Sequence, residues 1–233
     1  MSWTERSKAA WNASSKEWED KADIWNGGPR KEMLDFFIRF VPSGSKVLDL
    51  GCGPGFSTLV LQAAGYDAAG TDQSEAMTAA ARSRGVPAYI SHSDPLPFPD
   101  GSFDAVFACT SLEWTDAPAR IIEEVRRVLK PNGRFVPVTL GPLAPPRRTA
   151  YRRLYGESVI HNMMMPWELK GLLRDHGFRI ADMAGAYAGR YAPKRELVEQ
   201  LQDNWLARAA LSYLWSFACF KEESTPEQKE MDE

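Results

Sequence analysis

The sequence predicts a doubly wound α/β fold, a mainly parallel sheet with helices on both faces, and three observations carry that prediction. Short apolar runs of strand length recur from Lys46 onward, stretches of helical spacing separate them, and a glycine-rich turn follows the first run. Strands that alternate with helices need right-handed crossovers, which leave neighbouring strands parallel and both faces of the sheet covered.

Taken in order, the first forty residues carry Trp11, Trp18, Trp25, Phe36, Phe37 and Phe40 among many charges, and the spacing of Trp11, Ser14, Ser15 and Trp18 predicts one or two helices. Gly27, Gly28 and Pro29 interrupt them, with a second helix expected over about 29–40. The run Val47, Leu48, Asp49, Leu50 suits a buried parallel strand, and a helix follows its glycines. Residues 66–71 read as strand two, 74–84 as a helix capped by Ser74, and 88–90 as strand three. Residues 103–108 read as strand four, 117–129 as a helix, and 133–140 as strand five after a turn at Pro131, Asn132 and Gly133. Pro142, Pro145 and Pro146 break the rhythm, so 141–166 is expected to be an insertion or lid. A helix over 167–176 closed by Gly177 and strands over 178–187 and 212–221 complete the set. The expectation is one domain over 1–221, with an N-terminal helical cap at 1–45, a core at 46–140, the lid, and the last helices and strands at 167–221. A disordered tail is expected at 222–233, which has almost nothing to bury.

With 233 residues, 44% of them apolar, the chain can bury a sizeable core. A formal net charge of −3 supplies no global positive field for a phosphate backbone, so nucleic acid is not the expected partner. The N-terminus lacks a signal-peptide pattern and no apolar run reaches membrane-spanning length, so a cytoplasmic protein without a membrane partner is expected. Cys52, Cys109 and Cys219 are odd in number and far apart, which predicts packing residues and no metal site.

The chemistry-bearing stretch is Asp49-Leu50-Gly51-Cys52-Gly53-Pro54-Gly55, where three alternating glycines let a ligand approach the backbone. No Gly-Lys-Ser/Thr follows, so this is not a P-loop. Asp49, just before the glycines, would repel a pyrophosphate and attract a cation. Asp72, in Gly70-Thr71-Asp72-Gln73-Ser74, ends strand two, where an acid can accept hydrogen bonds from ribose hydroxyls. Asp94, in Ser93-Asp94-Pro95-Leu96-Pro97-Phe98, follows strand three, where a carboxylate can take an adenine amino proton between apolar neighbours.

In this order, VLDLGCGPG, GTDQS, SDPLPF, FDAVFACTSLEW and RRVLKPNGRFV resemble the successive motifs of class I S-adenosylmethionine-dependent methyltransferases, nearest to the small-molecule branch called methyltransferase type 11. The resemblance covers about 46–140, with weaker support from MPWELKGLLRDHGF and YLWSFACFK. It implies a Rossmann-like methyltransferase fold, a seven-stranded sheet whose last strand is antiparallel, and transfer of a methyl group from S-adenosylmethionine to a small molecule, leaving S-adenosylhomocysteine. It places Gly51, Gly53 and Gly55 under the methionine and ribose, with Cys52 and Gln73 beside them. Asp49 falls near the ammonium, Asp72 on the ribose, Asp94 and Pro95 at the adenine, and Thr110, Ser111 and Leu112 along the methionine. Many members carry His after the acid of the strand-four motif; here Trp114 follows Glu113.

In-line methyl transfer does not require a base; for a hydroxyl or acid acceptor the candidates are His161, Glu113, Tyr155 and Tyr151. Trp11, Trp25, Arg30, Trp114, Tyr151 and Met164 are expected to shape the acceptor side or its lid. Two other readings of the glycine loop are an NAD-dependent oxidoreductase and a non-catalytic protein that binds S-adenosylmethionine.

Overall fold

The computed structural model describes residues 1–91, 95–190 and 192–222. Seven strands form one sheet: β1 (Lys46–Leu50), β2 (Asp67–Asp72), β3 (Ala88–Ile90), β4 (Phe103–Cys109), β5 (Leu129–Leu140), β6 (Phe178–Ala186) and β7 (Leu214–Lys221). Their order is β3-β2-β1-β4-β5-β7-β6, and β7 runs antiparallel between β5 and β6. β1 lies inside the sheet, Val47 pairing with Ala68 of β2 on one side and Ala105 of β4 on the other, so its tip faces the crevice where strand order reverses.

The two faces follow from the strand period of two. On β4, Ala105 and Phe107 point into a core with Met33, Leu34, Phe37 and Leu61, while Val106 and Ala108 join Ile122, Val125, Leu169 and Leu173 on the opposite face. The first core is covered by α2 (Gly28–Phe40) and α3 (Phe56–Ala63), the second by α5 (Pro118–Val128) and α7 (Pro166–Asp175). Phe37 is fully buried, and truncating it to Ala removes about 3–5 kcal/mol of stability by the usual cost of an aromatic-sized core cavity.

Local signals set the element ends. α1 (Trp3–Glu19) starts in a capping box, with Glu5 N donating to Ser2 Oγ at 3.2 Å and Ser2 N to Glu5 Oε2 at 2.7 Å. The expected cap of α4 (Glu75–Ser83) is present: Met77 N donates to Ser74 Oγ at 3.1 Å. Gly177, φ +68°, follows α7 as the closing glycine. The expected turn at 131–133 lies inside β5. Leu129 pairs with Phe103 and Arg134 with Ala105, so the intervening residues form a bulge around Asn132, φ +57°.

The 141–166 segment adds no strand to the sheet; it holds α6 (Pro145–Thr149) and a 3-10 turn, Ala150–Tyr155. Two short helices that the sequence did not place individually, α8 (Arg195–Gln200) and α9 (Trp205–Ala210), precede β7. Of the expected tail, 223–233 lies outside the described residues. All three cysteines are buried and free, Cys219 in the core beside β6. Among the described residues, no helix is long and apolar enough to cross a membrane, and no group of three or more His, Cys, Asp or Glu is placed to hold a metal ion.

Candidate active site

The tips of β1, β2 and β4 open into a cavity of about 470 Å³. Gly51 and Cys52 donate their N–H groups to Thr71 O at 2.8 and 2.9 Å, and Gly53 N donates to Asp72 Oδ2 at 2.9 Å, so the glycine loop is tied to the end of β2. Gly51, φ +78°, cannot be replaced freely, because a Cβ there would sit 2.4 Å from Ser111 Cβ. Gly53, φ +54°, has nothing within 4 Å of an added Cβ and borders the cavity. Gly55 does not border it; a Cβ there would press on Ala81 and Val86 at 3.0 Å, so that glycine serves packing between the loop and α4. Gly70 leaves room for Cys52: a Cβ would come within 2.5 Å of its Sγ.

Asp49 is buried at the loop's root, where Ser57 and Thr58 hydroxyls at the start of α3 donate to its Oδ2 at 2.6 and 2.7 Å. Burial pushes its carboxyl up to about 6, against the pull of those hydroxyls; Asp72 raises it further and Arg30 lowers it. Asp72 is also pushed up to about 6 by burial, while the N–H groups of Ser74, Gly53 and Gln73 favour its ionised form. Both line the cavity, which therefore holds two carboxylates poised to ionise against a positively charged guest.

Part of the cavity wall is aromatic. Trp11, Trp18, Trp25 and Trp114 line it with Ile24, Leu140, Pro145, Pro146, Tyr213 and Leu214. Trp11 meets Trp114 edge to face at 4.9 Å and Trp18 at 5.7 Å. Arg30 lies between the rings of Trp18 and Trp25, 5.4 and 5.3 Å from their centroids, and donates to Thr110 Oγ1 at 2.9 Å and Cys109 Sγ at 3.3 Å. Thr110 adopts φ +54°, an uncommon geometry for a residue other than glycine, and its carbonyl accepts from Trp114 Nε1 at 2.6 Å. α1 closes over this side through polar contacts: Ser7 Oγ donates to Trp114 O at 2.9 Å, and Ser74 Oγ to Asn12 Oδ1 at 2.6 Å.

Of the expected cofactor residues, Asp49, Gly51, Cys52, Gly53, Asp72, Gln73, Thr110 and Leu112 come together around the cavity; Pro95 does not border it, and Asp94 lies outside the described residues. Trp11, Trp25, Arg30 and Trp114 all line the cavity. Tyr151 is 54% and Tyr155 79% exposed, both away from the cavity, because the 150–155 turn projects outward. Met164 is buried in the core under α7 and does not reach it.

The remaining two acid–base candidates are also out of place. Glu113 is fully buried behind Trp114, where Leu140 N donates to its Oε1 at 2.7 Å and burial raises its carboxyl above the usual range. His161 is buried, its Nδ1 accepting from Met163 N at 2.8 Å and its ring standing edge to face on Trp114 at 5.2 Å. Burial, aided by Arg147, pushes its imidazole down to about 4, so it is neutral at pH 7. Arg147 itself is drawn inward to the carbonyls of Leu140, Gly141, Met163 and Met164, pinning the insertion to the end of β5. These residues support the wall from behind. Tyr213, Leu140 and the two prolines were missed, since nothing in a strand tip or a proline pair marks which side of a distant cavity it will face.

Residues 48–136 match the family described as "Methyltransferase domain". The chain is 38% identical over 117 residues to a demethylmenaquinone methyltransferase of Mycobacterium sp. (strain JLS), half of each chain being covered. It is 29% identical over 208 residues to a ubiquinone biosynthesis O-methyltransferase of Xylella fastidiosa, covering 78% of this chain and 83% of that one. A methyltransferase structure from Thermotoga maritima, described as S-adenosylmethionine-dependent and a possible histamine N-methyltransferase, superposes with a TM-score of 0.67 at 19% identity, covering 91% of this chain and 98% of the other. The chain spans half the length or less of several relatives, the mycobacterial enzyme among them. Residues 48–136 thus match a methyltransferase domain, and the chain has the Rossmann-like fold of the solved structure described as an S-adenosylmethionine-dependent methyltransferase.

Proposed function

We propose that this chain transfers a methyl group from S-adenosylmethionine to a small, largely apolar acceptor, acting from the cytoplasm as one unit over residues 1–221. The observation that carries this reading is a single cavity lined both by the glycine loop with two carboxylates and by four tryptophans. Gly51, Cys52, Gly53, Asp72 and Gln73 would hold the nucleoside, Asp49 and Thr110 the amino-acid part, and Trp11, Trp25, Trp114 and Tyr213 would face the acceptor. The bound S-adenosylmethionine supplies a sulfonium methyl open to in-line attack.

The chain's own contribution is positioning and exclusion of water, which can supply ~7–11 kcal/mol of the barrier without a protein group forming a bond. The wall includes neither a histidine nor a glutamate among the described residues, and both of its aspartates accept hydrogen bonds from the loop region. The acceptor must therefore bring a lone pair that needs no protein base, such as an acidic hydroxyl, a carboxylate or a neutral amine. Trp11 and Trp114 offer flat faces and edges to a ring compound.

Incubation with methyl-tritiated S-adenosylmethionine and a panel of acceptors tests the proposal, starting with quinone precursors of the kind the relatives' names indicate. Label should appear in an apolar, solvent-extractable product. Binding of the cofactor with no transfer to apolar, aromatic or acidic acceptors would count for a non-catalytic role.

A further inference from the structure

Three of the large apolar side chains most open to solvent stand within five residues: Tyr151 is 54% exposed, Leu154 75% and Tyr155 79%. The Tyr151 and Tyr155 rings meet edge to face at 6.2 Å, so they form one patch. Between Pro145 and Gly156 the chain has four arginines and no acid, in a protein whose formal net charge is −3. Arg147 is turned inward, but Arg152 and Arg153 are exposed beside the patch; Arg152 shares its charge with Glu157 at 2.6 Å. Pro145 and Pro146, at the root of the same segment, line the cavity.

We infer that residues 150–156 rest on an anionic phospholipid surface, holding the chain where an apolar acceptor is dissolved. The patch presents three exposed apolar side chains within one short turn, which suits insertion among headgroups. Tyrosine rings with a polar tip and arginines with long apolar stems both sit comfortably at that depth, and the guanidinium charge is drawn to anionic headgroups. The absence of a spanning helix among the described residues is compatible with this, because such a protein lies on the membrane and does not cross it. The expectation of no membrane partner rested on the lack of a spanning run and of a signal-peptide pattern, and neither bears on surface docking.

The inference rests on the methyl-transfer reading only for its purpose; the docking itself is measured without turnover. The full chain is sedimented with phosphatidylcholine vesicles containing or lacking a quarter of phosphatidylglycerol, beside Leu154→Asp and the double variant Arg152→Gln, Arg153→Gln. In parallel, S-adenosylhomocysteine is titrated into each protein to report folding and the cofactor site. The wild type should bind only the anionic vesicles, more weakly as salt rises, and each variant should bind at least tenfold more weakly with its S-adenosylhomocysteine affinity kept. A wild type that ignores both vesicles, or variants that bind them as the wild type does, would overturn the docking and leave the proposed methyl transfer standing. Loss of S-adenosylhomocysteine binding in the wild type would strike the function instead.

Discussion

Around the glycine loop the cavity wall is mostly main chain held by short-range rules, whereas its aromatic lining is side chains gathered from four separate stretches. The glycine loop is fixed by Thr71 O and Asp72 a few ångströms away, across two neighbouring strands. The aromatic lining needs α1 with Trp11 and Trp18, the turn Ala22–Trp25, the 3-10 turn Leu112–Trp114, and Tyr213 just before β7. The first arrangement tolerates little change and the second can vary its guest, as expected when one ligand is common and the other specific to the enzyme.

The sharpest way to break this contrast is Gly51→Val. With φ +78° and Ser111 Cβ 2.4 Å from the added atom, the loop must deform, and calorimetry should detect no S-adenosylhomocysteine binding. Gly53→Ala, where no atom lies within 4 Å, should instead fold normally with a stability loss of about 1–2 kcal/mol from the left-handed backbone.

The next largest effect is on pH. Both Asp49 and Asp72 titrate near 6 where an ordinary carboxyl titrates at 3.8, so in the folded, unliganded chain they hold protons that the unfolded chain has lost. Stability from these groups is therefore greatest below about 4 and falls as pH rises through 4 to 6, reaching a constant lower level above that. A cationic ligand requires the ionised form, so its affinity should fall as pH drops from 7 to 5, by about tenfold for each carboxylate that must shed a proton. A flat affinity over that range would mean these acids do not face the ligand's charge.

Trp114→Ala should separate the two parts of the wall kinetically. It removes a ring of the acceptor wall, so KM for an acceptor should rise on the order of tenfold while S-adenosylhomocysteine affinity changes far less. The smallest effect is expected for His161→Asn: an imidazole titrating near 4 behind Trp114 does not exchange a proton with substrate, so the pH–rate profile between 6 and 8 should be unchanged. A lost acidic limb in that profile would restore His161 as the base.

The same contrast explains what could be read from the sequence. Strand order along the chain, the Ser74 cap and the Asp49–Gly55 turn are local patterns, and all are present as expected. So is the meeting of Asp49, Asp72 and Thr110, because successive parallel strands bring their C-terminal tips to one edge. His161, Tyr155 and Glu113 were singled out by side-chain chemistry alone, and that chemistry says nothing of direction: one points into the core, one into water, one behind an indole. Arg30 shows the opposite case, a helix-start arginine whose place between two tryptophans depends on a helix ending ten or so residues earlier.

The most direct test is a calorimetric titration of S-adenosylhomocysteine, with NAD as the rival ligand, into the wild type and Asp72→Ala. The wild type should bind one S-adenosylhomocysteine and no NAD, and the variant should lose about 1–3 kcal/mol of affinity through the missing carboxylate. Binding of NAD in its place, or equal affinity in the two proteins, would contradict a cofactor seated between the glycine loop and the tip of β2.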